Sequence, residues 1–294
     1  MGRPERAGAG ASRFPALPPG RAGRWALAAG AALVALALAP GSPGRDLVPG
    51  GIARADLQRV FSVGGLCDSC PDPNLRVFGV EFRKGDLWTV SVDGTLAHLS
   101  SCQVTEFVSV QGFRGFATGL GYDSRRDLFV VADALLDTID VVDLKGTVVR
   151  SYAAPGTGSI GAAYDARRDV YWITDFEEDS LFAVVPETGA VASRFALPAG
   201  FRVSGAAYDP VLDAIYYQSR VADPMCYMVS AANGALLGAF SLPYNGVNGW
   251  EDNALAPNGT LWIHHFELRS IYCVERLTTA ARRTSWGALK ALYR

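Results

Sequence analysis

The run GAAYDARRDVYWITDFEEDSLFAVVPETGAVASRFALP, Gly161 to Pro198, decides how this chain folds. Gly161 to Asp165 is short and small, as a buried strand is. Arg167-Arg168-Asp169 makes a polar turn. Val170 to Thr174 is β-branched and aromatic, which suits a pleated, half-buried surface. Asp175 to Asp179 is an acidic loop, Leu181 to Val185 a third strand, and Pro186-Glu187-Thr188-Gly189 a turn with a glycine where positive φ is needed. Val191 to Leu197 is a fourth strand, stopped by Pro198, which has no N–H to give a ladder. Four short strands on tight turns form an antiparallel meander.

The unit recurs on both sides. Tyr122, Tyr164 and Tyr208 stand 42 and 44 residues apart, each followed by an aspartate (Asp123, Asp165, Asp209). A second aspartate opens the next strand: Asp127, Asp169, Asp213. A fourth-strand aromatic recurs as Phe61, Phe107, Tyr152, Phe195 and Phe240, at spacings of 46, 45, 43 and 45. A period of 40 to 45 residues with four strands per repeat predicts the blades of a β-propeller, whose neighbours must stack to bury both faces.

Counting outward gives blade one from Val77 to Val110, blade two from Phe116 to Ala153, blade three from Ser159 to Leu197 and blade four from Val203 to Leu242. Trp250 to Arg276 supplies three strands of a fifth blade. The expected fold is therefore an all-β, five-bladed propeller of four-stranded antiparallel blades. Its last blade is completed by the N-terminal strand Leu57 to Val63, which removes the exposed edge. Trp286 is a rival for that slot, 46 residues after Phe240. Against it, Thr278 to Ala281 lacks the glycine turn seen at Gly146, Gly189 and Gly234. Trp286, Leu289 and Tyr293 also follow helical spacing.

Residues 1–55 read as a signal peptide and linker, 56–276 as the propeller and 277–294 as a tail, either an amphipathic helix or a sorting tail. Trp25 to Ala39 is an apolar run of 15 residues behind arginines, too short for a spanning helix of about 20. The expectation is export: secreted, periplasmic or cell-surface, with no stable membrane span after signal removal. The whole chain carries 27 basic and 29 acidic residues, but the repeat region alone holds 15 basic and 27 acidic ones. So acidic a body repels phosphate backbones, which argues against nucleic acid as a partner.

Five cysteines suit an exported chain. Cys67 and Cys70 flank a short loop and Cys102 falls in a turn of blade one, so a disulfide from Cys102 to Cys67 or Cys70 is expected. Cys226 and Cys273 lie in third strands and are expected as buried free thiols. No second Cys-x-x-Cys and no His-x-His accompanies the first pair, so no metal and no cofactor is expected.

No catalytic motif stands out. The candidate ligand-binding residues are those that a propeller gathers at the mouth of its channel. Asp133 and Asp175 end the second strands of blades two and three, with Ser219 and His265 at the matching places in blades four and five. The loops entering each blade add Arg114, Arg202, Asn245, Asn248, Trp250, Glu251 and Asp252. The plainer account of Asp133 and Asp175 is that they cap turns.

The phrases Asp169 to Asp175 (DVYWITD) and Asp127 to Asp133 (DLFVVAD) resemble the blade phrases of secreted propellers of the NHL, lactonase and gluconolactonase types. The resemblance covers roughly Leu57 to Arg276. It implies the fold, and it implies that an enzyme of the lactonase type would hold a channel metal by Glu, Asn and Asp from different blades. Glu81, Asp133 and Asp175 are candidates for that set, with no asparagine at a matching place. The leading expectation is a non-enzymatic propeller binding a protein, glycan or small molecule at its loop face. A metal-dependent lactonase or hydrolase at the channel mouth is the alternative, and a purely structural repeat protein a third.

Overall fold

The computed structural model describes residues 76–197, 202–219, 225–242, 249–266 and 268–274, together with the backbones of short strands at 47–48, 52–53, 61–62, 66–71 and 278–279. Five four-stranded antiparallel sheets make a five-bladed propeller. Blades one to four each use four consecutive strands. From the inner strand outward, blade three runs Ser159–Asp165, Val170–Asp175, Ser180–Val184 and Val191–Ala196. Blade five takes its inner three strands from Trp250–Leu255, Leu261–His265 and Ser270–Val274.

The outer strand of blade five does come from the N-terminal side, but it is Leu66–Pro71 rather than Leu57 to Val63. Ile271 stands opposite Cys70 and Cys273 opposite Asp68. Of the expected strand, Phe61–Ser62 instead pairs with Thr278–Thr279 in a separate two-stranded sheet. The cause lies in the register. Ile139, Leu181 and Cys226 face Tyr152, Phe195 and Phe240 across their ladders, and Ile271 holds the same place opposite Cys70. The outer position is thus an aromatic in three blades and a cysteine in the last, so tracking aromatics led past the true strand. The same slip affects blade one, where Val108 fills the position opposite Leu96. Phe107 points away and is 58% exposed. The residues around Trp286 lie outside those described.

Hydrophobic burial is organised by seam. Each of the five junctions between blades has its own apolar cluster. Trp88 and Phe129 join blades one and two, Ile139 and Tyr171 join two and three, and Trp172 and Tyr217 join three and four. Tyr216 and Ile263 join four and five, and Leu99 and Ile271 join five and one. Strand alternation sends successive side chains to opposite seams, so a single strand serves two cores: Trp172 faces blade four while Tyr171 and Ile173 face blade two. The turns Gly189 and Gly234, at φ 70° and 71°, lie over the rings of Tyr152 and Phe195 of the preceding blade. A Cβ at either position would sit 2.4 to 2.6 Å from ring carbons, so glycine is required there for space as well as for φ.

The repeated Tyr-Asp-x-x-x-Asp phrase is a clasp between blades on the face away from the channel mouth. Its first aspartate caps the turn: Asp165 Oδ1 accepts the N–H groups of Arg167 and Arg168. Its second, Asp169 or Asp213, adopts φ 55° or 54°, a left-handed conformation that aspartate tolerates. There it accepts the preceding tyrosine hydroxyl, Tyr164 to Asp169 at 2.7 Å and Tyr208 to Asp213 at 3.1 Å. It also takes a forked pair of bonds from an arginine of the blade before. Arg126 holds Asp169 at 2.8 and 2.9 Å, Arg168 holds Asp213 at 2.6 and 2.7 Å, and Arg83 holds Asp127 at 3.0 and 3.1 Å. At the next seam the arginine's place is taken by Leu212, which packs with the apolar cluster shared with blade five.

Among the cysteines, Cys226 is a buried free thiol. Cys102 and Cys273 are not among the free thiols, which corrects the expectation for Cys273. No helix among the described residues is long and apolar enough to cross a membrane.

Candidate functional site

Register places the four expected strand ends at one end of the channel, with Ser91 of blade one as a fifth. Ser91, Asp133, Asp175, Ser219 and His265 stand opposite Val77, Ala117, Ser159, Val203 and Trp250, the first residues of the five inner strands. Asp133 and Asp175 are fully buried there. Asp133 Oδ1 accepts the N–H groups of Phe116, Leu135 and Leu136. Asp175 Oδ1 accepts those of Glu177 and Glu178, and its Oδ2 that of Gly158. Each carboxylate thus fastens the loop that enters its blade to the turn that follows its own strand.

The other expected residues divide. Arg202 is exposed, at φ 47°; its N–H bonds Asp179 and its guanidinium lies 5.1 Å from the centre of the Phe176 ring. Arg114 is exposed beside the same face. Trp250, Glu251 and Asp252 belong to the inner strand of blade five rather than to a loop. Glu251 is buried, and His265 is buried with Nδ1 accepting the N–H of Leu268 at 3.1 Å. The side chain of Trp250, and Asn245 and Asn248, lie outside the described residues.

An aromatic group occupies the mouth that the sequence did not single out. Phe78, second residue of its inner strand, meets Phe116 at 5.0 Å between ring centres and Phe266 at 4.7 Å. These come from blades one, two and five. Phe78 is nearly covered, whereas Phe116 and Phe266 are each 38% exposed, and Leu136 and Leu268 add apolar surface on neighbouring turns. Each phenylalanine stands one residue from a member of the five pairs above (Val77, Ala117 and His265), so the signal was present in the repeat alignment.

Deeper in the channel the third residue of every inner strand comes closest to the axis. It is glycine in four blades, Gly79, Gly119, Gly161 and Gly205, and Asp252 in the fifth. A Cβ on Gly119 would lie 2.5 Å from the carbonyl oxygen of Ile160, and one on Gly161 2.4 Å from the backbone of Gly205. Neighbouring backbones thus approach too closely for side chains, and one side chain fills the space left. The Asp252 carboxylate accepts the N–H of Val80 at 3.0 Å, Leu120 at 3.1 Å and Ala206 at 3.3 Å, from blades one, two and four. Burial raises its pKa against the lowering effect of those amides, and Glu81 nearby raises it further. Glu81 keeps some exposure as a residue, yet its carboxyl group is enclosed and desolvation pushes it up to about 8, against the N–H bonds of Phe82 and Tyr122. His264, fully buried, is pushed down to about 3 by desolvation and by His265.

Among the described residues no group of three or more His, Cys, Asp or Glu side chains is placed to hold a metal, and Glu81, Asp133 and Asp175 form no such set. No family model matches the chain, and no curated protein does. Solved propellers are similar. Glutaminyl cyclase from Myxococcus xanthus superposes with a TM-score of 0.60 at 16% identity over 74% of this chain and 97% of that one. The WD40 β-propeller domain of Doa1 gives 0.49 at 15% identity, covering 67% of this chain and 62% of that one. Virginiamycin B lyase from Staphylococcus aureus gives 0.48 at 10% identity, covering 69% and 67%. At these identities the likeness is one of fold: the chain is a five-bladed β-propeller whose structural neighbours include both enzymes and binding proteins.

Proposed function

We propose that this chain is an exported, non-enzymatic propeller that binds a protein, glycan or small molecule at its channel-mouth face. The observation that carries the reading is the Phe78–Phe116–Phe266 group, where two rings from different blades stay exposed around a third. Exposed aromatic faces supply large contact area and stack on sugar rings, apolar groups or cations. Exposed Arg202 adds a polar group at that face, Glu251 and His265 lie buried beneath it, and Asp133 and Asp175 hold the entering loops in place.

Export makes cysteine oxidation part of the same proposal. Cys102 pairs with Cys67 or Cys70: the backbone register sets that segment alongside Ile271 to Val274, and Cys102 packs in the seam that Ile271 enters.

The enzymatic alternative draws on Glu251, a buried carboxyl beside Phe78's layer. One experiment separates the two. The full chain is screened by thermal shift against glycans, peptides and lactones, with product analysis for each hit. A stabilising ligand lost in Phe116→Ser and Phe266→Ser but kept in Phe107→Ser, with no turnover, supports binding. Turnover abolished by Glu251→Gln overturns it in favour of the enzyme, and hits indifferent to both phenylalanines remove the mouth from the argument.

A further inference from the structure

Arginines on the two faces of the propeller are used differently. On the face away from the mouth, Arg83, Arg125, Arg126, Arg167 and Arg168 are each held by an aspartate of the next blade, at 2.6 to 3.5 Å. At the mouth, Arg76, Arg114, Arg202 and Arg269 are exposed, and none of them stands in an ion pair among the described residues. The repeat region holds 27 acidic residues against 15 basic ones, so a shortage of carboxylates does not explain the difference.

Three of the four stand beside the mouth rings. Arg76 lies two residues before Phe78, Arg114 two before Phe116 and Arg269 three after Phe266. Arg76, Arg202 and Arg269 adopt φ of 50°, 47° and 47°, a left-handed backbone that glycine or asparagine would serve with less strain. Acidic side chains on this face gather elsewhere. Glu177, Glu178 and Asp179 belong to blade three, which adds no ring to the Phe78 group. Glu178 is bonded to Arg194 at 2.8 Å, and Asp179 accepts the N–H of Arg202. Asp93 bonds Ser91 and Thr95 within its own turn, and Asp137 is half-buried in its turn. Glu267 lies outside the described residues.

We propose, resting on the mouth as a binding face, that its occupant is an acidic peptide segment of a partner protein with an aromatic or apolar side chain as anchor. The anchor lies on Phe116 and Phe266, and flanking carboxylates meet Arg76, Arg114 and Arg269. A guanidinium takes a carboxylate through two parallel N–H bonds. A phenylalanine ring offers apolar area without the polar tip that would bond sugar hydroxyls. An acidic peptide with an apolar anchor satisfies both groups at once, which a neutral glycan or a cation does not. The acidic body repels such a peptide at long range, but at about 0.1 M salt charges are screened beyond ~10 Å, so the nearby arginines decide.

The test titrates the full chain with three acetylated, amidated peptides, Glu-Glu-Trp-Glu-Glu, Lys-Lys-Trp-Lys-Lys and Glu-Glu-Gly-Glu-Glu, by calorimetry, with polygalacturonate in parallel. The acidic tryptophan peptide should bind and the other two should bind far more weakly. Arg114→Gln and Arg269→Gln should each weaken it about three- to fivefold, the range of an exposed ion pair. Phe116→Ser and Phe266→Ser should weaken it more, and Arg125→Gln, on the opposite face, should leave it unchanged. Equal binding of the lysine peptide overturns the proposal, as does an effect of Arg125→Gln equal to that of Arg114→Gln. Polygalacturonate held through the arginines, with no binding of the acidic peptide, gives the face to an anionic glycan and overturns it too. If the acidic peptide does not bind while a neutral ligand is lost in Phe116→Ser, the peptide is overturned and the mouth stands. Binding indifferent to both phenylalanines removes the mouth as well.

Discussion

The carboxylate of Asp252 accepts the N–H of Leu120 at 3.1 Å although 132 residues separate them and their blades are not neighbours in the ring. Blade one stands between blades five and two, so the bond can form only across the channel axis. With Val80 and Ala206 on the same carboxylate, one side chain ties together inner strands from four of the five blades. Removing it leaves three buried N–H groups without acceptors. Asp252→Ala should lower unfolding stability by about 3–5 kcal/mol, given ~1–3 kcal/mol for each buried group left unpaired. Asp252→Asn keeps an acceptor oxygen and should cost clearly less. Denaturant unfolding of the two variants checks this, and equal losses would mean that the contacts are incidental.

The Arg168–Asp213 clasp predicts an acid limit. The guanidinium of Arg168 holds the Asp213 carboxyl down at about 2, and the hydroxyl of Tyr208 helps. The folded pKa lies below the unfolded one, so this stabilisation is complete above about pH 4 and disappears as pH falls toward 2. Arg126–Asp169 works in the same direction. Arg168→Met should flatten the acid limb of the stability curve. A double-mutant cycle with Asp213→Asn should give a coupling of about 1–2 kcal/mol, discounted because both side chains keep roughly a quarter of their surface in solvent. A cycle with no coupling would reduce the clasp to a surface ion pair.

Glu81 has the opposite sign. Its folded-state pKa of about 8 lies above the ordinary carboxyl value of 4.5. The folded protein holds this proton more tightly than the unfolded chain, so the contribution is complete below about pH 4.5 and is lost as pH rises toward 8. Glu81→Gln should therefore be destabilising at pH 5, nearly neutral or stabilising at pH 8, and should flatten the slope between. Measuring the midpoint of urea unfolding across that range decides it; an unchanged slope would place the carboxyl in water.

How much of this was legible follows from where each signal sits. The clasp was visible because tyrosine and both aspartates lie within a few residues and recur in blades two, three and four, with Arg126 and Arg168 in the first two of these; only their partnership across the seam needed the structure. Asp133 and Asp175 were legible as turn caps for the same local reason. Asp252 was hidden because its role is defined by a contrast, a carboxylate where Gly79, Gly119, Gly161 and Gly205 stand, and the inner strand of blade five lacks the Tyr-Asp phrase that aligned the others. The strand Leu66–Pro71 was missed because its pairing residue is Cys70, and two cysteines in a short run look like a loop. The mouth phenylalanines fell one residue from the positions the period marked.

The closure of the ring gives the sharpest test of the corrected register. Five ladder positions join Leu66–Pro71 to Ser270–Val274, whereas Phe61–Ser62 contributes only two, to a separate small sheet. A chain beginning at Gly64 keeps the outer strand of blade five and should unfold cooperatively at close to the midpoint of the longer chain. A chain beginning at Asp72 loses it. That leaves the N–H and C=O row of Ser270–Val274 unpaired and uncovers the outer side of a blade whose inner strand carries Asp252. An unpaired edge of this kind templates association with another chain, so the shorter form should aggregate or unfold at markedly lower temperature. Light scattering and circular dichroism on the two truncations provide the readout. If the chain beginning at Asp72 stays monomeric and equally stable, the fifth blade is closed by some other segment; if the chain beginning at Gly64 already fails, the strand around Phe61 carries the closure after all.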